Sequence, residues 1–220
     1  RFGKQVDTLT IEIEHVNIEA LEQLEKEGLS IHPSPAALKT IQDKGLQKLF
    51  YQQHDIPTAP FQLLENEAAI LKAIEVGKIQ FPFVQKSRGG GYDGKGVAII
   101  KDKNDLDKLL PGPALIEVLA DIEKEIAVVV CRNEKGEIAS FDPVEMEFNP
   151  IANLVEFLIC PADISEAIAQ KCDSIAYAII EKMEVCGLLA VELFLNKNGE
   201  IWVNEVAPRP HNSGHHTIDS

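Results

Sequence analysis

The sequence predicts an α+β fold with mostly antiparallel sheets. Three observations carry this. Strand-like stretches come in runs, with helical stretches between the runs. Asn198-Gly199 separates two apolar runs, the strongest short hairpin pattern. Pro111-Gly112-Pro113 breaks the chain where its texture changes, which predicts a smaller and a larger subdomain meeting close by.

Asp7 to Glu14 mixes Thr, Leu, Ile and Glu in strand-like alternation. Asn17 is placed to cap a short helix that ends near Gly28. His32-Pro33-Ser34-Pro35 interrupts the chain, and a lysine-bearing helix runs from Pro35 to His54, stopped by Ile56-Pro57. Glu67 to Val76 is helical, Phe81 to Lys86 and Val97 to Ile100 are strands, and Asn104 to Leu110 is a two-turn helix. Beyond the breaker, Ala114 to Val118, Ile126 to Arg132, Glu137 to Asp142 and Leu154 to Ile159 read as strands. Ile164 to Met183 is a long amphipathic helix, and Leu188 to Leu195 pairs with Glu200 to Glu205.

Of 220 residues, 45% are hydrophobic, enough for one or two domains with real cores. The formal net charge of −14 argues against general nucleic-acid binding, which needs a basic face. Phosphate can still be bound locally, by backbone amides, a few lysines and a metal. Cys131, Cys160, Cys172 and Cys186 show no CxxC spacing, which fits reduced thiols in the cytoplasm. No apolar run has the length of a membrane span, and no signal-peptide pattern opens the chain. Arg1 starts in mid-pattern and Ser220 follows a dense polar stretch, as in a segment of a longer protein.

Lys86 to Gly96 reads KSRGGGYDGKG. Gly89, Gly91 and Gly94 fit G-x-G-x-x-G, but a strand follows where the dinucleotide fold needs a helix. A P-loop would need Ser or Thr where Gly96 stands. A glycine hairpin between strands remains, able to lay N–H groups over phosphates; a flexible surface turn is the plainer alternative. Glu117 and Glu125 flank an apolar strand end and could accept from ribose hydroxyls beside an adenine slot. Glu192 and Glu205 interrupt apolar strands, where charges need partners. The run APRPHNSGHH from Ala207 to His216 is an anion-binding inventory; a zinc site at His211, His215 and His216 is its chemical rival.

Together Lys86, GGGYDGKG, Glu117, Glu125, VELF at Val191 to Phe194 and NEVAPRPHNSGHHT at Asn204 to Thr217 resemble the N5-carboxyaminoimidazole ribonucleotide synthase family of purine biosynthesis, an ATP-grasp family. The resemblance spans essentially the whole chain. It implies the end of an N-terminal preATP-grasp domain at 1–32, a linker helix and small subdomain at 33–118, and a large subdomain at 119–220, with the family's C-terminal domain absent. The implied reaction is ATP-dependent carboxylation of 5-aminoimidazole ribonucleotide by bicarbonate through carboxyphosphate, in a cytoplasmic enzyme that is a homodimer at full length. The isolated segment should then bind Mg-ATP weakly and form no carbamate. Another ATP-grasp carboxylate–amine ligase, or a non-catalytic ATP-binding module, is the alternative.

The resemblance also implies roles. Lys44 and Lys86 contact ATP phosphates, and Gly90, Gly91, Tyr92, Asp93, Gly94, Lys95 and Gly96 cover them. Glu117, Val118, Leu119 and Ala120 line adenine, and Glu125 holds the ribose. Glu192 and Glu205 bind magnesium, or manganese, with Asn204 beside them. Tyr92 and Asp93 face the ribonucleotide, helped by Glu12 or Glu14, while Arg209, His211 and Asn212 bind bicarbonate. Lys95 replaces a frequent arginine of the family. Asn149 aligns with a histidine near the nucleotide and cannot become cationic; Glu147 stands where asparagine is frequent. A two-residue turn at Asn198-Gly199 pairs Lys197 with Glu200 and sets Glu192 opposite Glu205, whereas a four-residue turn makes them diagonal neighbours on the same face. Like charges so placed repel, and a hard cation between them relieves this.

Overall fold

The computed structural model describes residues 2–90, 96–148 and 155–218. Strand β1 (Thr8–Thr10) pairs in parallel with β2 (Ser30–His32). The strand expected over Asp7 to Glu14 is thus much shorter, and β2 arises where a break was expected. Between them lies α1 (Ile18–Lys26), capped by Asn17, whose Oδ1 accepts from the Ala20 N–H at 2.9 Å.

The lysine-bearing helix is two helices, α2 (Pro35–Ile41) and α3 (Lys44–Gln53). Asp43 divides them. Its Oδ1 accepts from the N–H groups of Gly45 and Leu46 at 2.8 and 3.2 Å, offering the backbone an alternative to a continuous helix. The Gln42 amide is drawn aside to the carbonyls of Glu14 and Val16.

A four-stranded antiparallel sheet follows, of β3 (Phe61–Leu64), β4 (Phe83–Ser87), β5 (Val97–Ile100) and β6 (Ala114–Val118), in the order β3-β6-β4-β5. Ile70 and Ala73 of α4 (Glu67–Glu75) pack with Phe83, Ile100 and Ile116 to form its core. Strand β3 carries no turn or alternation signal strong enough to show in the sequence. The helix expected at Asn104 to Leu110 is a 3-10 stretch, Lys103–Lys108. Pro111-Gly112-Pro113 turns into β6 of this same sheet, and the next sheet begins only at Ile122.

That larger sheet holds β7 (Ile122–Arg132), β8 (Ile138–Ser140), β9 (Val144–Phe148), β10 (Val155–Ile159), β11 (Gly187–Asn196) and β12 (Ile201–Ala207). Its order is β10-β9-β7-β11-β12, with β8 beside β7. One face is covered by α5 (Glu166–Lys182), whose Cys172, Ala176, Ile179 and Ile180 meet Ile126, Val128, Val130, Leu189, Val191 and Leu193. Strand alternation sends the intervening residues, among them Glu125 and Glu192, to the opposite face. Among the described residues no helix is long and apolar enough to cross a membrane.

The β11–β12 hairpin closes through three residues rather than two. Asn196 faces Glu200, its N–H donating to the Glu200 carbonyl at 2.8 Å, and Gly199 supplies the left-handed residue at φ 81°. That register alone would set Glu192 opposite Asn204. A bulge corrects it: Leu193 faces Val203, Glu192 faces Glu205, and Asn204 is the additional residue. The expected carboxylate pairing is reached by a different route.

Candidate active site

The cleft enclosing about 440 Å³ lies between the two larger sheets. The large sheet contributes Glu125, Glu192, Phe194 and Glu205; the small sheet contributes Val84, Lys86, Val97 and Ile99. The connection Val118-Leu119-Ala120 closes one end, and Arg209, His211 and Asn212 stand with Glu14 toward the other. Gly89 and Gly90 of the glycine loop reach it too. Gly91, Tyr92, Asp93, Gly94, Lys95 and Asn149 lie outside the described residues, and Gly96 opens toward β5, its carbonyl accepting from the Ser87 N–H.

Lysines and carboxylates alternate along the cleft. Lys44 begins α3 and is ion-paired with Glu205. Lys86 donates to Asn204 Oδ1 at 2.7 Å and lies 2.7 Å from Glu117 Oε2. Asn204 in turn donates to Glu192 Oε2 at 3.3 Å. The bulge explains how Asn204 and Glu205, neighbours in one strand, both serve the cleft. Burial and the nearby Lys86 hold Lys44 down to about 8. Burial pushes Glu125 up to about 7, with Glu192 adding repulsion. Burial also raises Glu192, against the pull of Lys44, Asn204 and Lys86.

Glu117 lines the cleft beside Val118, Leu119 and Ala120. Its carboxylate is buried and turned to Lys48 and Lys86 at 2.5 and 2.7 Å. Burial opposes its charge, but those two cations hold its pKa below the usual carboxylate range. Val118, Leu119 and Ala120 keep their place at the cleft.

At the polar end, the Arg209 guanidinium pairs with Glu14 at 2.9 Å, and both line the cleft; Glu12 borders a neighbouring depression that shares Arg209, His211 and Asn212 with it. Burial, with Arg209 and His215 nearby, lowers His211 to about 4, so its ring is neutral at pH 7. Its Nδ1 lies 2.9 Å from Ser213 Oγ and 3.3 Å from the Ser213 N–H, and its Nε2 lies 3.5 Å from Glu192. His216 instead packs edge-on against Phe141, so the tail histidines do not share one focus.

Two features escaped the sequence reading. Lys48 is buried among these groups; its spacing of four from Lys44 puts both on one helix face and was the available signal. Arg88, at the foot of the glycine loop, forks onto Asp43 at 2.9 and 2.7 Å, and the Lys44 N–H donates to its carbonyl at 2.8 Å. Gly45 makes room: a Cβ there would lie 2.6 Å from Arg88 Nε. Nothing local in either segment announces this pairing.

The donor set of Glu192, Glu205 and Asn204 consists of hard oxygens, suited to magnesium rather than zinc. The buried, poorly compensated Glu192 carboxylate favours a cation beside it.

Comparison with known proteins agrees with this geometry. The ATP-grasp domain matches residues 49–220, and the ribonucleotide synthetase preATP-grasp domain matches residues 1–42. A phosphoribosylaminoimidazole carboxylase of Ogataea methanolica is 39% identical over 97% of this chain and 40% of its own length. The crystal structure of N5-carboxyaminoimidazole ribonucleotide synthetase from Thermotoga maritima has a TM-score of 0.86 and 42% identity, covering 98% of this chain and 55% of that one. An Aspergillus clavatus N5-carboxyaminoimidazole synthase, in complex with ADP and 5-aminoimidazole ribonucleotide, has a TM-score of 0.87 and 32% identity over 99% of this chain and 57% of that one. This chain thus spans 40% to 57% of the length of these relatives. The chain belongs to the ATP-grasp family, whose fold it has.

Proposed function

We propose that this chain is the ATP-binding centre of a ligase that carboxylates 5-aminoimidazole ribonucleotide with bicarbonate through carboxyphosphate. The observation that carries the reading is the convergence of Lys44, Lys86, Asn204, Glu192 and Glu205 with Arg209 and His211 in one cleft. The relative bound to ADP and 5-aminoimidazole ribonucleotide supports the nucleotide and the ribonucleotide, and bicarbonate is proposed from the anion-binding groups Arg209, His211 and Asn212. Residues 1–32, 33–118 and 119–220 are the proposed end of the preATP-grasp domain and the two ATP-grasp subdomains.

Val118, Val97, Ile99 and Phe194 offer apolar faces to the adenine ring, and Glu125 accepts from the ribose. Lys44, Lys86 and the glycine-loop amides hold the phosphates, since phosphoryl transfer is mostly positioning and charge stabilisation. Glu192 and Glu205 would hold magnesium, which screens phosphate charge when bound. Arg209, steadied by Glu14, binds bicarbonate, and His211 adds a hydrogen-bonding ring there without adding charge. Tyr92 and Asp93 are assigned to the ribonucleotide amine, and Lys95 to the loop's phosphate cover.

The reading is tested by phosphate release from ATP in a protein carrying this chain at its relatives' full length. Release should depend on both bicarbonate and 5-aminoimidazole ribonucleotide, with the carbamate as product. Turnover indifferent to both would overturn it.

A pH dependence follows. Phosphate binds the ammonium form of Lys44, so bound ADP raises its pKa above the free value of about 8. ADP affinity should hold below that pH and fall above it, and calorimetric titrations should show proton uptake. Lys44→Arg, which stays charged, should reduce the fall; an unaltered slope would assign it elsewhere.

A further inference from the structure

Helix α3 carries Lys48 one turn after Lys44, and no step of the proposed reaction uses it. Its side chain is 2% exposed. Its ammonium donates to Thr58 Oγ1 and to the Val203 carbonyl at 3.2 Å, and pairs with Glu117 Oε1 at 2.5 Å. A lysine has three N–H donors, and these three acceptors account for them. Lys48 therefore has no donor left for a ligand.

The second Glu117 oxygen takes Lys86 at 2.7 Å. Two cations thus flank one buried carboxylate, and the group carries a net single positive charge. We infer that Lys48 is a positioning residue: by occupying one oxygen of Glu117 it keeps Lys86 from being neutralised, and so preserves the charge that Lys86 presents to a nucleotide phosphate. The inference rests on the phosphate-binding reading of Lys86 given above.

Electrostatics in a buried setting make the difference large. Without Lys48, Glu117 and Lys86 form a one-to-one pair, which is strong where water is scarce. An incoming phosphate then meets a neutral pair instead of a cation. The geometry also ties Lys48 to both sheets. Glu117 belongs to β6, and the Val203 carbonyl belongs to β12 immediately before the bulge at Asn204. Asn204 is the other acceptor of Lys86. One ammonium thus fixes the carboxylate on one side of Lys86 and the strand that holds the acceptor on the other.

The test is calorimetric ADP binding to the wild-type protein, Lys48→Met, and the double variant Lys48→Met with Glu117→Gln. The single variant should bind ADP about 10- to 100-fold more weakly, the effect of losing a charge-assisted contact. The double variant should recover most of that loss, because a neutral amide in place of the Glu117 carboxylate no longer competes for Lys86. A purely structural role predicts no recovery. Single-variant binding equal to wild type, or a double variant as weak as the single, overturns the inference while leaving the nucleotide reading intact. A wild-type protein that binds no ADP overturns both. If Lys48→Met does not fold, Lys48→Gln, which keeps a donor for Glu117 but no charge, replaces it in both the single and the double variant: weaker ADP binding that Glu117→Gln restores supports the inference, and unchanged or unrestored binding overturns it.

Discussion

Glu192→Gln and Glu205→Gln each lower ATP turnover by about 100- to 1,000-fold, the scale of losing one preorganised group at a charge-developing centre. The two should separate in stability. Glu205 is paired with the half-buried Lys44, so its replacement removes a favourable ion pair and gives no gain. Glu192 is different, because burial raises its pKa in the folded chain. A carboxyl raised above its unfolded value destabilises the fold once the pH exceeds that unfolded value, since ionisation is easier in the unfolded chain. At neutral pH Glu192→Gln should therefore raise the thermal midpoint in metal-free buffer while lowering turnover. Steady-state ATPase assays beside thermal melts check both. Metal-dependent turnover that survives in both variants would remove this pair from the metal site.

Leu193→Ala should cost about 2–5 kcal/mol, a large part of the roughly 5–15 kcal/mol that a domain commands. Leu193 is fully buried in β11, the strand between β7 and β12, and belongs to the core that α5 covers. It alternates with Glu192, so the leucine that anchors the strand to the helix also aims the carboxylate at the cleft. Urea unfolding followed by circular dichroism measures the loss. A cost below about 1 kcal/mol would mean that the core collapses around the missing atoms.

Sequence patterns exposed the parts whose causes are local. Asn17 is a cap because its side chain reaches a donor three residues on, and the glycine loop is bounded by strands of clear apolar character. Glu192 and Glu205 stood out as charges within apolar strands. Strands β2, β3 and β9 stayed hidden because they are short, with three to five residues each, and β3 leans on β6, about fifty residues away in sequence. The Lys48–Glu117–Lys86 group was hidden for the same physical reason: it joins α3, β6 and β4, and no window of sequence contains it. The turn at Asn198-Gly199 was located, but its length depends on which face of β12 the core claims.

That dependence makes β12 a one-tooth ratchet. In its observed position Ile201 and Val203 enter the core beneath α5, and the bulge lets Glu205, two residues beyond Val203, point the other way. Slide the strand by one, with a two-residue turn and no bulge, and Glu192 still meets Glu205. Asn204, however, would then lie opposite Leu193 on the helix side, and Lys86 would lose one of its two acceptors, while Val203 left the core and Trp202 entered it. Two apolar residues on the helix side thus choose which notch the strand occupies, and polar substitutions at Ile201 or Val203 act on the cleft from its far side.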